Sequence, residues 1–275
     1  MTNITASQVN ELRKQTGLGM MDCKSALVES NGDFEKAIEI LRKKGQKVAA
    51  KRADREANEG VVLSATNEEN NFGAIILLNC ETDFVAKNTD FINFAEQILS
   101  LALSNKTKTL EDVLALQIEG KTIKENIIEK TGVIGEKISL SSFEIVDAEF
   151  AMSYVHPGNK LSSIVGFNLN IEHDVAKNIC MQIAAMNPIA IDEDSVSKEV
   201  LDREYEIGLE QAKEEGKPEQ ILGKIAEGRL KKFLKENTLL NQPFIKDNGV
   251  TVKKYLGQKK EDAQVVDFKR IGLGY

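Results

Sequence analysis

The sequence predicts a multidomain α+β chain: a three-helix bundle, a duplicated sheet-and-helix core, and an antiparallel helical hairpin. Three observations carry this. Residues 1–45 show only helical patterning. From Gly60 the pattern turns to paired apolar runs, and a hairpin-then-helix unit occurs twice. Residues 192–240 are helical again and split the second of those units. The domains expected are a bundle at 1–45, a connector at 46–59, and a first core subdomain at 60–146. A second core subdomain follows at 147–191 and 241–275, with the hairpin at 192–240 between its parts.

Val9 and Leu12 give the first helix a buried face. Thr16-Gly17 stops it, because glycine accepts the left-handed cap. Gly17-Leu18-Gly19-Met20-Met21 reads as a tight loop, and Asp22 as the cap of the next helix. Cys23, Ala26 and Leu27 lie on that helix's inner side. Asn31-Gly32 ends it and Asp33 caps the third. Phe34, Ala37, Ile38 and Leu41 follow the i, i+3, i+4, i+7 spacing of an amphipathic helix. Residues 42–55 carry Arg42, Lys43, Lys44, Lys47, Lys51, Arg52 and Arg55 against Asp54 alone. They read as a helical, poorly packed connector, either solvated or available to an acidic partner.

Val61-Val62-Leu63 and Ala74 to Leu78 read as a hairpin across a polar turn. A helix from Asp83 to Leu103 follows, then shorter helices at Leu110–Leu116 and Ile123–Lys130, and a strand at Lys137–Val146. Phe150–Val155 and Leu161–Leu169 form the second hairpin, joined through His156-Pro157-Gly158-Asn159-Lys160. Asp83-Phe84-Val85-Ala86-Lys87-Asn88 then reappears as Asp174-Val175-Ala176-Lys177-Asn178, in the same context. Phe84 has no counterpart in the second copy, so packing common to both units does not require it. Residues 192–215 hold ten acids and three bases, and residues 217–236 six bases and three acids. Helices of opposite charge joined by Gly216-Lys217-Pro218 should pair antiparallel. A short helix at Val250–Leu256 and a strand at Ala263–Ile271 complete the chain.

Composition removes several functions. Lys plus Arg is 36 and Asp plus Glu 43, a formal charge of −7, whereas general nucleic-acid binders carry a basic surplus. Two His and three Cys are scattered singly, at odds with a zinc site of four clustered ligands. The sparse, odd cysteine count and the lack of a leader or long apolar run fit a reducing cytoplasm. No phosphate-cradling glycine motif and no nucleophile motif occur. The expectation is therefore a cytoplasmic protein with no cofactor, no metal, no nucleic acid and no membrane contact.

Two features stand out. Glu81-Thr82-Asp83-Phe84-Val85 lies at a strand-to-helix junction, where side chains can project from the fold. Equally, Asp83 can cap the helix while Phe84 packs inside. The second feature is Leu18 with Met20 and Met21. Methionines suit adaptable protein contacts, or the loop simply closes the bundle.

Leu12-Arg13-Lys14-Gln15-Thr16-Gly17-Leu18-Gly19-Met20-Met21-Asp22-Cys23-Lys24-Ser25-Ala26-Leu27 closely resembles the opening signature of the bacterial elongation factor Ts family. So does Asn79-Cys80-Glu81-Thr82-Asp83-Phe84-Val85-Ala86-Lys87. Gly216-Lys217-Pro218 and Glu227-Gly228-Arg229-Leu230-Lys231-Lys232-Phe233 resemble later blocks of that family. The resemblance implies an exchange factor without covalent chemistry. It would release GDP from elongation factor Tu, the GTPase that carries aminoacyl-tRNA. It also implies a ubiquitin-associated-like (UBA-like) bundle, two similar core subdomains and an inserted coiled-coil hairpin.

By that resemblance Asp83 and Phe84, with Thr82 and Val85 beside them, reach the Mg²⁺ and phosphate region of the GTPase, and Ile134 with Gly135 lies close by. Leu12, Arg13, Met20 and Met21 are implied in the bundle's contact, and His156 in that of the second subdomain. Leu77 departs from the family, which usually has a polar or acidic residue there. Many relatives continue into a C-terminal helix beyond the point where this chain ends at Tyr275. Binding is therefore expected to rely more on bundle and core. A dimer or 2:2 assembly with Tu stays open, as does an interaction scaffold that binds without releasing nucleotide.

Overall fold

The computed structural model describes residues 4–274; the first three residues of the expected bundle, and Tyr275, lie outside the described residues. The chain forms two compact units. One holds the residues up to Val62, Ile76–Phe143 and the tail from Leu273; the other holds Leu63–Ile75 and Glu144–Gly272. The architecture is α+β throughout.

The first unit opens with α1 (Ala6–Thr16), α2 (Met20–Glu29) and α3 (Phe34–Arg52). Thr5 and Gln8 make a reciprocal capping box, and Gly17 closes α1 at φ 68°. Val9, Leu12, Cys23, Ala26, Leu27, Ala37 and Leu41 form the bundle core. Two expectations need correction. Asp22 does not cap α2. The backbone is already extended at Gly19, which is the cap, so Met20 and Met21 begin the helix rather than sit in a loop. Asp22 pairs instead with Lys44. The connector is helical as expected, as far as Arg52, but it is not poorly packed: it is the second half of α3, where Gly45 lies against Gly132. Of the basic residues over 42–55, Arg42 pairs with Glu129, Lys43 with Glu39, and Arg52 and Arg55 with Glu81.

Next come β1 (Glu59–Thr66), β2 (Phe72–Cys80), α4 (Asp83–Ala86) and α5 (Thr89–Ser104). The single helix expected over 83–103 is two. The Asn88 side chain accepts the Asp90 N–H and starts a new helix at Thr89, leaving α4 as one turn. α5 buries Phe91, Phe94, Ala95, Ile98, Leu99, Ala102 and Leu103. Then follow α6 (Leu110–Ala115), a small hairpin of β3 (Gln117–Ile118) and β4 (Lys121–Thr122), α7 (Ile123–Ile134), and β5 (Ser139–Asp147). The first sheet has the order β1-β2-β5.

The rest is β6 (Phe150–Val155), β7 (Leu161–Phe167), α8 (His173–Met186), α9 (Lys198–Glu214), α10 (Glu219–Asn237), β8 (Pro243–Phe244), β9 (Asp247–Thr251), α11 (Val252–Lys259) and β10 (Val265–Gly272). β7 lies between β6 and β10 and is antiparallel to both. Phe150, Val165, Phe167, Ile179, Ile183, Leu239 and Phe244 belong to one core, in which the Phe244 and Tyr255 rings stack at 4.0 Å.

The α9–α10 hairpin closes on a seam of small and apolar residues. Ile207 and Ile221 face solvent, while Gly208, Ala212, Leu222 and Ala226 are buried. Small residues let the two backbones approach. A Cβ on Gly208 would already touch Ala226 at 3.4 Å. The opposite charges contribute little to that seam. Arg229 crosses it to Glu215 at 2.7 Å, at a partly exposed site.

Candidate functional site

The Glu81–Val85 segment continues directly from β2. Cys80 is buried; burial and the nearby Glu136 and Glu59 carboxylates push its thiol up to about 12, so it is a structural anchor and not a nucleophile. Its Sγ lies 3.1 Å from the Thr82 carbonyl. Thr82 is the residue preceding α4, but its hydroxyl does not cap that helix. It donates instead to Glu136 Oε1 at 2.7 Å, while the Thr82 N–H donates to Glu136 Oε2 at 3.0 Å.

Glu81 completes the support. Its Oε1 accepts the Lys137 N–H at 2.7 Å and the Arg52 guanidinium at 2.6 Å, and Arg55 reaches Oε2 at 3.5 Å. The Lys137 amide first, then Arg52 and Arg55, hold its carboxyl below the usual range. Lys137 in turn donates its ammonium to the carbonyls of Ala53 and Arg55, at 2.7 and 2.8 Å. The end of α3, the end of β2 and the start of β5 are thereby tied at one point.

On this support, α4 presents Phe84 to solvent. Its side chain is 82 % exposed, the most open large apolar residue among the described residues. Of the two readings open from sequence, core packing of Phe84 is excluded. Asp83 is partly exposed and pairs with Lys87 at 2.6 Å, which raises the ammonium. Val85 is half-buried. A bare phenyl ring beside a carboxylate has no chemistry of its own; it is a shape and charge feature suited to a partner.

Known proteins decide the family. A model of the family described as elongation factor TS matches residues 81–275. An elongation factor Ts of Porphyromonas gingivalis is 51 % identical over 271 residues, covering 98 % of each chain. One of Amoebophilus asiaticus is 53 % identical over 274 residues, covering 98 % of this chain and 99 % of the relative. One of Christiangramia forsetii is 49 % identical over the full length of both. The chain belongs to the elongation factor Ts family.

As a member of the elongation factor Ts family, the chain places the remaining expected residues unevenly. Ile134 is 38 % exposed at the end of α7, and Gly135 closes that helix at φ 78°. Gly135 immediately precedes Glu136, whose hydrogen bonds to Thr82 tie the chain after α7 to the Phe84 turn. Met20 and Met21 are exposed on the first turn of α2, and Arg13 is exposed near the end of α1. Leu12 is a correction: it has no accessible surface and fills the bundle core. It lies on the inward side of α1 with Val9, so the contact implied for it cannot be direct. His156 is exposed after β6, in the second unit, with Nδ1 2.9 Å from the Tyr154 hydroxyl.

Glu136, Lys137 and Arg52 were not anticipated at the site. The signal available was modest: an acid–base pair directly after a helix-closing glycine. His173 and Asp174, at the start of α8, are 4.0 Å apart and largely in solvent. Among the described residues, no group of three or more His, Cys, Asp or Glu could hold a metal, and no helix is long and apolar enough to cross a membrane.

Proposed function

We propose that the chain is a guanine-nucleotide exchange factor that promotes GDP release from elongation factor Tu during translation elongation. The reading rests on family membership. Its mechanism rests on one observation, a phenylalanine held almost fully in solvent on a well-supported turn. Asp83 and Phe84 insert into the GTPase near the Mg²⁺ and phosphate groups, with Thr82, Val85, Ile134 and Gly135 around the contact. GDP and its Mg²⁺ are held by charge and fixed backbone donors. The wedge favours the GTPase conformation that holds them poorly, and by reciprocity bound nucleotide weakens factor binding by the same factor. No covalent step is involved.

In this reading residues 1–45 are a UBA-like bundle that docks through Arg13, Met20 and Met21. His156 supplies the contact of the second subdomain, and residues 192–240 are a coiled-coil insertion. The protein works in the cytoplasm, without a cofactor. Exposure of Met20 and Met21, 54 % and 73 %, also supports a second reading, an interaction scaffold that binds Tu without affecting its nucleotide. Stopped-flow release of fluorescent GDP from Tu separates the two. Acceleration by this chain, lost about tenfold or more in Phe84→Ala, supports exchange by the wedge. Binding without acceleration supports the scaffold.

A further inference from the structure

Glu81 and Glu136 form a reciprocal clasp. Each carboxylate takes the backbone N–H that adjoins the other: Glu81 accepts from Lys137, and Glu136 accepts from Thr82. Glu136 also takes the Thr82 hydroxyl. That hydroxyl would ordinarily cap the helix that follows. Its diversion fixes the single turn of α4 from outside, by a side chain 54 residues along the chain. A four-residue helix has almost no stability of its own, since nucleation costs more than one turn returns. The direction in which Phe84 points is therefore set by what holds Thr82.

We infer that Glu136 is a positioning residue for nucleotide exchange: its two hydrogen bonds to Thr82 hold the α4 turn so that Phe84 stands ready to insert. The inference rests on the exchange function proposed above. Glu136 need not touch the GTPase. It acts through Phe84, by removing the disorder that insertion would otherwise have to overcome. Hydrogen bonds to a charged acceptor are strong enough for their loss to matter about tenfold or more.

The test measures stimulated GDP release from Tu against factor concentration, so that the maximal rate and the half-saturating concentration are read separately. Wild type, Phe84→Ala, Glu136→Ala, Glu136→Gln, Thr82→Val and the Phe84→Ala/Glu136→Ala double variant are compared. Circular dichroism and melting are followed in parallel. Glu136→Ala is expected to lower the maximal rate about tenfold. Its half-saturating concentration should move much less, because the bundle's methionines are untouched. Glu136→Gln should recover most of the rate, since the amide oxygen can accept the N–H while the Thr82 hydroxyl turns to accept from the amide nitrogen.

The double variant should be no slower than Phe84→Ala alone, as expected when one residue acts only through the other. Additive losses in the double variant, or a normal maximal rate for Glu136→Ala, would overturn the positioning role. A normal rate for Phe84→Ala would instead overturn the wedge itself. If Glu136→Ala melts far below wild type, Thr82→Val decides. It removes only the hydroxyl bond and keeps the residue's shape. A reduced maximal rate in that folded variant supports the inference, and an unchanged rate refutes it.

Discussion

Gly45 and Gly132 cross so closely that a Cβ on Gly132 would stand 2.5 Å from the Cα of Gly45. This crossing joins α3 to α7, and both helices lead into the Phe84 turn. The two glycines are not equivalent. A Cβ on Gly45 would meet Gly132 Cα at 3.6 Å, an ordinary contact. Gly132→Ala should therefore destabilise by about 1–3 kcal/mol through overpacking. Gly45→Ala should be neutral or stabilise by up to about 1 kcal/mol through helix propensity. Urea unfolding of both variants checks the asymmetry. Equal effects would mean the helices do not meet as described.

Removing the Phe84 ring should leave stability within about 0.5 kcal/mol of wild type, because the ring is not packed. Phe91→Ala removes a ring only 2 % exposed on α5, and should cost about 3–5 kcal/mol. Thermal melts of the two variants make the comparison. A large loss in Phe84→Ala would contradict its exposure.

Leu12 and Met21 belong to one block of sequence but should fail differently. Leu12→Ala opens a cavity in the small bundle core and should cost about 2–5 kcal/mol. Met21→Ala should not change stability measurably, and under the proposed function should weaken binding to Tu. Melting and titration calorimetry on each variant distinguish a folding residue from a contact residue.

Glu81 makes stability depend on pH in a definite direction. Its carboxyl is held below the usual 4.5 in the folded chain, so the unfolded chain binds the proton more readily. Its stabilisation is present above 4.5 and is lost as pH falls from there through the lower folded value. Glu81→Gln should flatten that part of the stability curve, measured by urea unfolding from pH 6 down to pH 3. An unchanged slope would show that Lys137, Arg52 and Arg55 do not hold the charge.

All three cysteines are buried. Burial, and for Cys80 the adjacent carboxylates, disfavours the thiolates of Cys80 and Cys180. An aromatic disulfide reagent at pH 8 should react negligibly with the folded chain and with all three thiols after denaturation. Rapid reaction of the native chain would show that a thiol is accessible.

Much of the fold was legible because it follows local rules. Gly17 and Asp33 end and start helices where glycine and aspartate do so generally. The polar turn between β1 and β2 was equally plain. Elements set by tertiary contact were not legible. Nothing local says that the Lys/Arg-rich half of α3 has α7 to lie against, or that Gly208 rather than Ile207 faces α10. The repeat was read from Asp83-Phe84-Val85-Ala86-Lys87-Asn88 and Asp174-Val175-Ala176-Lys177-Asn178, yet these segments fold differently. The first breaks after one turn, where Asn88 caps a new helix; the second runs on within α8.

A quieter correspondence agrees better with the structure. Gly120-Lys121-Thr122-Ile123-Lys124 and Gly249-Val250-Thr251-Val252-Lys253 each end a small hairpin, and each threonine caps the following helix. Both sheets also place the second strand of their hairpin at the centre. At the candidate site, the exposed Phe84 could be suspected from its lack of a counterpart. Its dependence on Glu136 could not, because that bond spans 54 residues.

The unbroken course of α3 has a kinetic meaning. One end of this helix belongs to the bundle that carries Met20 and Met21, and the other grips Glu81 beside the Phe84 turn. Under the proposed function, α3 being unbroken, the two contact points would act as a bivalent ligand on a stiff spacer. On that reading, a partner that has seated the methionines would receive Phe84 at a fixed offset and a high effective concentration. Such an arrangement rewards a partner whose two receiving sites share that offset and penalises one whose sites do not, so selectivity resides in a length as well as in side chains.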